Sequence, residues 1–319
     1  MSQTKRVLVT GAGGFIGRWS VAPLLTKGYE VHAVLSENAR APFARELQGA
    51  SVHCADLLSE AGVEALVKRV MPTHLLHFAW IATPKVYWQS PDNARWFAAS
   101  EYLLRCFRSV GGVRAVMAGS CAEYDWSKVG VCIERTSPMA DEAATPPTPY
   151  VANKIALQKA LARFADEEHL SAAWGRVFFQ HGPHEHPDRL VASVIRQLLL
   201  NREALCTHGR QIRSFLHVAD LGAAFAQLLD SEVQGPVNMG SDEAVALSDF
   251  IGRIAQQIGR PDLVRLGARG TATDEPPILL PDVHRLRDEV KWRPQFSLDE
   301  GIGDTIVWWR AELAARGAS

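Results

Sequence analysis

A glycine-rich turn near the amino terminus constrains the fold of this chain more than any other feature of its sequence. The short apolar run Val7–Val9 leads into the segment TGAGGFIG. In such a segment Gly11 permits a tight turn, Gly14 lets the backbone approach a diphosphate, and Gly17 lets the following helix pack close to the sheet. A helix start also offers free N–H groups to phosphates, so the pattern predicts a dinucleotide-binding turn. The predicted cofactor contacts in this turn are Gly11, Gly14, Phe15, Ile16 and Gly17.

Apolar runs alternate with amphipathic stretches through the first half of the chain. Strands alternating with helices predict an α/β fold with a doubly wound parallel sheet, the Rossmann arrangement, covered by helices on both faces. Strands buried on both faces read as continuous apolar runs, as Val7–Val9 does. The predicted strands are 6–10, 30–35, 51–55, 74–79, 114–119 and 173–179, and the predicted helices are 15–27, 60–69, 92–108 and 150–168.

After residue 179 the alternation becomes irregular, which predicts a smaller, mixed α/β lobe for the substrate. We expect loops at 180–188 and 265–281. The division into domains is predicted as residues 1–175 plus about 214–237 for the dinucleotide, and about 176–213 plus 238–319 for the substrate. The further predicted helices are 189–200, 218–229, 247–258 and 298–315, and the further strands are 210–217 and 236–239.

The composition argues against several classes of protein. Thirty-four basic residues face 35 acidic ones, a formal net charge of −1, so the excess of positive charge that nucleic-acid binding requires is missing. No apolar run approaches the roughly 20 residues of a membrane-spanning helix, and no signal-peptide pattern precedes the first strand. The five cysteines are odd in number and form no C-x-x-C pair, which disfavours a disulfide framework. We therefore expect a cytoplasmic protein.

Three closely spaced histidines, His181, His184 and His186, raise the question of a metal site. Only Glu185 lies among them, and no cysteine or further acid completes an obvious ligand set. We expect no metal here, and a loop near the substrate instead.

The end of the second strand indicates which dinucleotide is bound. NAD-binding turns usually carry an acid there for the ribose 2′-hydroxyl, whereas this strand ends in Leu35 and Ser36. Arg40 and Arg18 can supply positive charge to a 2′-phosphate. The sequence therefore favours NADP(H), with NAD as the alternative because Glu37 could still reach the ribose. The remaining predicted cofactor contacts are Asp56, which could instead cap the next helix, Leu57 and Ala79.

A Tyr-x-x-x-Lys pair, Tyr150 and Lys154, falls within a predicted helix, so both side chains share one face. A neighbouring ammonium favours the phenolate and brings the tyrosine towards working pH for proton transfer. The fifth strand ends at Ser120, at the edge of the sheet where ligands bind. We predict Ser120, Tyr150 and Lys154 as catalytic residues, with Tyr150 and Lys154 also contacting the cofactor.

With these motifs in this order, the sequence resembles the extended short-chain dehydrogenase/reductase family, and within it the nucleotide-diphosphate-sugar epimerases, dehydratases and 4-ketoreductases. Residues 176–183 resemble the family's Arg-x-x-Asn-x-x-Gly-Pro segment, with Phe179 where Asn is usual. Residues 209–218 resemble the stretch whose arginine, here Arg213, holds the sugar-nucleotide diphosphate. Residues 238–241 and 282–286 match further family segments. The resemblance implies a nucleotide-diphosphate sugar as substrate and a homodimer formed by the helices near 92–108 and 150–168.

The resemblance also separates the reactions. Family dehydratases and decarboxylases carry a glutamate two positions before the tyrosine that matches Tyr124, where this chain has Ala122, and Glu123 is shifted by one. A shift by one residue on an extended segment turns a side chain to the other face. Dehydration is therefore disfavoured, and the arrangement is more similar to the 4-ketoreductases. The predicted substrate contacts are Ser120, Cys121, Glu123, Trp80, Gln180, His181, Arg213 and Arg285.

We thus expect NADP(H)-dependent reduction of the C4 keto group of a nucleotide-diphosphate 4-keto-6-deoxy sugar. The alternative is a 4-epimerase that retains NAD. A redox-sensing NADP-binding regulator without catalysis is a third interpretation, which the complete Ser–Tyr–Lys set disfavours.

Overall fold

Apolar residues occupy both faces of the amino-terminal strands, and a parallel sheet with helices on either side buries both. The computed structural model describes residues 4–39, 45–142, 146–270 and 275–317. Within these ranges a seven-stranded parallel sheet forms the centre of the molecule, beside one three-stranded and two two-stranded sheets. The α/β, doubly wound class predicted from the sequence is confirmed.

The elements are labelled in chain order. The strands are β1 (Arg6–Thr10), β2 (Glu30–Leu35), β3 (Ser51–Cys54), β4 (His74–His77), β5 (Arg114–Ser120), β6 (Val131–Cys132), β7 (Ser171–Val177), β8 (Phe179–His181), β9 (Ala204–Leu205), β10 (Ile212–His217), β11 (Gly235–Met239), β12 (Ala244–Ala246), β13 (Val264–Arg265) and β14 (Leu280–Pro281). The α-helices are α1 (Val21–Thr26), α2 (Glu60–Val70), α3 (Asp92–Ser109), α4 (Pro149–Glu168), α5 (Leu190–Leu199), α6 (Val218–Asp230), α7 (Leu247–Ile258) and α8 (Leu298–Gly317).

The strand order of the large sheet is β11-β7-β5-β4-β1-β2-β3. β1 pairs in parallel with β2 on one side and β4 on the other, so the winding of the chain reverses at β1. In open α/β sheets ligands bind beyond the carboxyl ends of the strands at such a reversal. The glycine-rich turn directly after β1 therefore lies where the topology creates a crevice.

Side chains of β1 alternate between two hydrophobic cores. Val7 and Val9 pack in the core that also contains α1 and α6, whereas Leu8 packs in the core containing α2, α3 and α4. These two layers cover the sheet and hold the carboxyl ends of its strands in fixed relative positions.

A third core holds the lobe formed largely by the second half of the chain. It joins α5, α7 and α8 to the small sheet in which β10 lies between β12 and β8. The rings of Phe215 on β10 and Phe250 on α7 stack with centroids 4.1 Å apart. Because α6 starts directly after β10, this sheet is tied to the central one.

Three elements differ from the prediction. The helix predicted for 15–27 is a 3₁₀ turn, Gly17–Ser20, followed by the short α1. The strand predicted for 173–179 is two strands, β7 and β8, which belong to different sheets. The predicted loop 265–281 begins in β13 and ends in β14. Two-residue strands pair with partners far away in the sequence, so local periodicity does not reveal them.

Among the described residues, no helix combines the length and the apolar character that crossing a membrane would require.

Arg114, at the start of β5, provides a test of the fold. Its buried guanidinium donates hydrogen bonds of 2.7 to 2.8 Å to the carbonyl oxygens of Leu228, Leu229 and Val233 at and beyond the end of α6. Arg114→Met should lower the free energy of unfolding by about 2–4 kcal/mol, because these carbonyls lose their donors. Urea denaturation measures the loss. The exposed Arg95→Met should change stability by less than about 0.5 kcal/mol, and equal losses in both variants would contradict the prediction.

Candidate active site

Backbone contacts close the turn after β1 and leave no room for a Cβ at Gly11 or Gly17. Gly11 has a φ of +67°, and a Cβ there would lie 2.8 Å from the amide nitrogen of Ala79, just after β4. A Cβ on Gly17 would overlap the carbonyl oxygen of Gly11. The Gly14 amide donates to that same oxygen at 2.9 Å. The turn is therefore a narrow cradle of main-chain atoms that fits a dinucleotide diphosphate.

A cavity of about 740 Å³ extends from this turn along the ends of β2 and β3. The wall also includes Trp96 of α3 and Glu37, which follows Ser36 in the sequence. Arg40, predicted to bind a 2′-phosphate, lies outside the described residues. The predicted cofactor residues that the cavity brings together are Gly11, Gly14, Ser36, Asp56, Leu57 and Ala79.

Arg18 faces this cavity and also braces the turn. Its Nη2 donates to the carbonyl oxygen of Gly13 at 2.5 Å, and its Nε donates to that of Gly14 at 3.0 Å. The guanidinium lies 3.9 Å from the carboxylate of Glu46. Arg18 thus lines the cavity with its charge shared among these partners, and its contact with a 2′-phosphate stays a prediction.

Asp56 does not cap the helix that follows it. The hydroxyl of Ser59 accepts from the amide of Gly62 and caps α2, while Asp56 accepts from the amide of Leu58 at 2.9 Å and lines the cavity. The helix-cap interpretation is therefore wrong, and a contact between Asp56 and the cofactor stays a prediction.

A second cavity, of about 320 Å³, adjoins the first and contains the predicted catalytic residues. Ser120 ends β5, and Tyr150 and Lys154 lie one turn apart on α4. The hydroxyl of Thr148 caps this helix by accepting from the amide of Val151 at 3.4 Å. The end of one strand and the start of one helix thereby place the three side chains in one cavity. Its wall also contains the predicted Phe15, Ile16, Gly17, Trp80, Cys121 and Gln180.

Tyr150 lies among aromatic rings. Its ring meets those of Tyr87 and Trp88 edge to face, with centroids 4.7 Å and 5.4 Å away. Burial raises the pKa of Tyr150 above its ordinary value, and a hydrogen bond with the Ser120 side chain acts in the opposite direction. The phenol is therefore protonated at neutral pH, as a proton donor must be at the start of its reaction.

Lys154 is held by a carbonyl and two indole rings. Its Nζ donates to the carbonyl oxygen of Ala118 at 2.9 Å and lies 3.9 Å from the ring centroid of Trp80 and 5.8 Å from that of Trp174. Burial lowers the pKa of Lys154 to about 7, and the charge of Glu123 opposes this shift. The pKa of the amine thus lies near neutral pH, where small electrostatic changes alter the fraction of the amine that is charged.

Cys121 follows Ser120 in the cavity wall. Burial raises the pKa of its thiol above the ordinary value, so the group stays neutral and is poorly suited to act as a base. Among the described residues that line this cavity, none is an aspartate, a glutamate or a histidine. Tyr150, with Ser120 beside it, therefore stays the predicted proton donor of this cavity.

Glu123 does not line the cavity, which corrects its prediction as a substrate contact. Its side chain has no exposure and turns below the end of β5, where it pairs with the equally buried Arg176 at 2.8 Å. The short 3₁₀ turn Cys121–Glu123 produces this orientation, because Glu123 reaches back to the amide of Ser120 at 2.7 Å.

His181 and Arg285 are also displaced from their predicted roles. His181 is buried against α8, where its Nδ1 lies 3.1 Å from the hydroxyl of Thr305. Arg285 pairs with Glu289 and donates to the carbonyl oxygens of Gln234 and Pro236, at the amino end of β11. That end of the strand is opposite to the edge that carries the cavity, so Arg285 is a structural residue.

Arg213, the predicted diphosphate ligand, is buried on β10 outside the walls of both cavities. Its guanidinium donates to the carbonyl oxygens of Ile212 and Pro276, each at 2.8 Å, and to Glu275 at 3.1 Å. It lies 5.4 Å from the ring centroid of Phe179. A role in holding diphosphate remains a prediction for this residue.

No group of three or more His, Cys, Asp or Glu side chains among the described residues is arranged to hold a metal ion. His184 instead meets Glu46 at 3.2 Å, and its ring lies 4.7 Å from that of Trp308.

Sequence reasoning did not assign Arg189, which also lines the second cavity. Arg189 directly precedes α5 and is the one arginine in the wall of this second cavity within the described residues. Its place at the start of a strongly amphipathic helix was a usable signal, because helix starts border the ligand crevice in this class of fold.

Comparisons with known proteins find a matching family and several similar enzymes. A family model described as the NAD dependent epimerase/dehydratase family matches residues 7–240. The chain is 27% identical over 325 residues to dTDP-4-dehydro-6-deoxy-D-allose reductase of Streptomyces bikiniensis, covering 96% of each chain. It is 26% identical over 322 residues to UDP-glucuronic acid decarboxylase 1 of Xenopus tropicalis, covering 97% of this chain and 73% of that protein.

Several solved structures share the fold of this chain. The UDP-glucose 4-epimerase of Thermus thermophilus, in complex with NAD, is similar with a TM-score of 0.81 and 26% identity, covering 96% of this chain and 99% of that chain. The fold is also shared with the UDP-glucose 4-epimerase of Thermotoga maritima, with a TM-score of 0.82 and 20% identity, covering 97% and 99%.

The cradle can be tested without knowledge of the substrate. Gly17→Ala should abolish detectable NAD(P) binding by isothermal titration calorimetry, because its Cβ would overlap the carbonyl oxygen of Gly11 and force the turn open. Gly252→Ala, where a Cβ meets nothing within 4 Å on α7, is the matched control and should bind as wild type does. Unchanged binding in Gly17→Ala would contradict the assignment of the turn.

Proposed function

The chain belongs to the NAD dependent epimerase/dehydratase family, and from this premise we propose that it reduces the C4 keto group of a nucleotide-diphosphate 4-keto-6-deoxy sugar with NADPH. One observation carries the choice of reaction. The catalytic cavity combines Ser120, Tyr150 and Lys154 with a wall in which the described residues include no carboxylate and no imidazole. A reductase needs one proton donor beside the hydride, whereas dehydration needs further acid–base groups at the sugar.

The carboxylate that follows Ser120 most closely in the sequence, Glu123, supports reduction over dehydration. Glu123 is turned into the protein and paired with Arg176, so it cannot remove or deliver a proton at a sugar in the cavity. Ala122, the residue at the position where family dehydratases carry glutamate, packs near Tyr150 in an apolar cluster.

The roles of the residues follow from their positions. When bound in the cradle, a nicotinamide dinucleotide supplies the hydride. Ser120 donates a hydrogen bond to the carbonyl oxygen at C4 and polarises it, and Tyr150 delivers its phenolic proton to the same oxygen. Lys154, as an ammonium, stabilises the phenolate that Tyr150 leaves behind and draws its pKa back down. The surrounding rings of Tyr87, Trp80 and Trp88 exclude water from this transfer.

The character of the cavity supports a deoxy sugar. Aromatic side chains make up much of its wall besides Tyr150 and Phe15, and their apolar faces suit a methyl group better than a hydroxymethyl group. These side chains are Phe78, Trp80, Tyr87, Trp88, Trp126, Phe178 and Phe179. The similarity to a dTDP-4-dehydro-6-deoxy-D-allose reductase supports the same substrate class.

A second candidate, the 4-epimerase that retains NAD, has one observation in its favour. Glu37 lies in the wall of the larger, predicted cofactor cavity beside Ser36, where a carboxylate can accept a hydrogen bond from a ribose 2′-hydroxyl. Identification of the nucleotide that copurifies with the protein separates the two candidates. Tightly retained NAD would favour the epimerase, and freely exchangeable NADP(H) would favour the reductase.

Tyr150→Phe tests the proton donor. The variant keeps the ring and its contacts with Tyr87 and Trp88 but loses the hydroxyl, so turnover should fall by about 10²–10⁴-fold while dinucleotide binding is retained. Tyr102→Phe, whose hydroxyl hydrogen-bonds Glu64 on the surface of the helical layer, should leave turnover unchanged. Steady-state oxidation of NADPH with a 4-keto-6-deoxy sugar nucleotide measures both, and near-wild-type turnover in Tyr150→Phe would refute the role.

The choice of cofactor is tested by kcat/KM for NADPH and NADH. One charge-assisted hydrogen bond to the 2′-phosphate is worth about 1.5–3 kcal/mol, which corresponds to a preference for NADPH of roughly 10- to 100-fold. Arg18→Ala and Arg40→Ala identify the arginine responsible, because only the variant that removes the contact should lose the preference. A wild-type preference for NADH would exclude this proposal and strengthen the epimerase.

A further inference from the structure

A buried carboxylate lies directly beneath the predicted catalytic residues. Glu123 has no exposure, and its oxygens accept hydrogen bonds from Nε of Arg176 at 2.8 Å, from the indole Nε1 of Trp174 at 2.9 and 3.0 Å, and from the amide of Ser120 at 2.7 Å. Burying two charges is costly, and an apolar pair of similar volume would often be at least as stable. Fold stability alone therefore does not explain the pair.

The backbone is shaped to admit this carboxylate. A Cβ on Gly119 would lie 2.5 Å from Oε1 of Glu123 and would overlap the indole nitrogen of Trp174. Only a glycine before Ser120 lets the carboxylate and the indole sit immediately under the strand end. The contact therefore depends on the side chains of Glu123, Trp174 and Arg176 and on the missing side chain of Gly119.

We propose that Glu123 is a positioning residue of the site, whose carboxylate holds the main chain at Ser120 and serves as the counter-charge of the Lys154 ammonium. The catalytic consequence of this inference rests on the proposed function. The hydrogen bonds at Ser120 and the charge of Lys154 are properties of the protein without substrate.

The first part is the geometry of Ser120. Glu123 accepts from the Ser120 amide, and the Ser120 hydroxyl accepts from the amide of Ala122 at 3.2 Å. These reciprocal bonds form a capping box that closes the 3₁₀ turn Cys121–Glu123. They leave the hydroxyl hydrogen of Ser120 available to point into the cavity.

The second part is the charge of Lys154. The amine lies over the ring of Trp174, and the N–H of that same indole donates to Glu123, so the indole contacts both the ammonium and the carboxylate. Burial lowers the pKa of Lys154 to about 7, and the charge of Glu123 is the influence that raises it. Without this carboxylate the pKa of the amine would fall further, so less of it would be charged and able to stabilise a phenolate.

The other titratable groups around Lys154 do not replace Glu123. On β4, His77 bonds to the hydroxyls of Thr10 and Ser100, and burial lowers its pKa to about 3, so it is neutral. Tyr150, on the same helix, is a neutral phenol before proton transfer. Arg176 on β7 is positive and is bound to Glu123 itself. Among the described residues, Glu123 is thus the anion that acts on this amine.

Glu123→Gln tests the counter-charge directly. The apparent pKa of Lys154 is measured in the protein without cofactor by trace acetylation with acetic anhydride from pH 5 to 10, with the modified peptide quantified by mass spectrometry. We expect the midpoint for Lys154 to fall by about one pH unit, since an opposite charge close by favours the ammonium. The pH profile of kcat should move in the same direction.

Glu134→Gln is the matched control. Glu134 is also a buried glutamate of this network, its carboxylate accepts from the amide of Asn238, and it is not among the charges that act on Lys154. Its substitution should leave the labelling midpoint of Lys154 unchanged. If Glu123→Gln does not fold, the double variant Glu123→Gln/Arg176→Met removes both charges together. Its midpoint should fall in the same direction but by less, because the positive charge of Arg176 is lost as well.

The outcomes are distinct. An unchanged midpoint in the Glu123 variants, or an equal shift in Glu134→Gln, would overturn the inference. Restoration of the wild-type midpoint in Glu123→Asp, which keeps the charge, would support it. If the midpoint shifts as expected but the wild type turns over no nucleotide sugar, the proposed function fails and the electrostatic role of Glu123 stands.

Discussion

The ion pair between Glu123 and Arg176 is the interaction on which the centre of the molecule depends. Both side chains are buried, so each charge is tolerated only because the other is present, and removing one partner of such a pair typically costs about 3–5 kcal/mol. Arg176 also donates to the hydroxyl of Tyr124 and to the carbonyl of Glu134, and the Tyr124 hydroxyl in turn donates to Asn238 on β11. One pair of charges thereby joins the ends of β5, β7 and β11 directly below the site.

The rest of the site follows from where parallel strands end. All carboxyl ends of the large sheet meet at one edge, and the reversal of winding at β1 opens that edge into a crevice. The cradle at Gly11 lies on one side of the crevice, and α4 brings Tyr150 and Lys154 to the other. Burial then sets their chemistry: it keeps Tyr150 protonated and holds Lys154 near the pH at which its charge changes. A preorganised site of this kind needs little rearrangement when charge develops.

Much of this could be predicted from the sequence. The bounds of β1 and β2 and of α7 agree with the sequence prediction, because continuous apolar runs and a strong amphipathic period are local signals. The grouping of Ser120, Tyr150 and Lys154 could be predicted as well, since the strand end and the helix face are both determined by short segments. Glu123, His181 and Arg285 could not be placed in this way. Their sequence positions are close to the motifs, but the direction in which each side chain turns depends on partners in distant segments, which are β7 for Glu123, α8 for His181 and the start of β11 for Arg285.

The sequence by itself determined the order of the longer strands and helices, the glycine turn and the candidate residues for proton transfer. These depend on interactions within a few residues, where backbone sterics and hydrophobic periodicity dominate. Only the tertiary structure decided which charged groups face the cavity and which are buried beneath it. Arg176 and Trp174 on β7 donate hydrogen bonds to Glu123 from a distant segment of the chain, and these bonds, rather than any local preference, turn its carboxylate away from the cavity. The balance between desolvation and pairing of charge is a property of the folded interior, and the chain acquires it only when distant segments pack together.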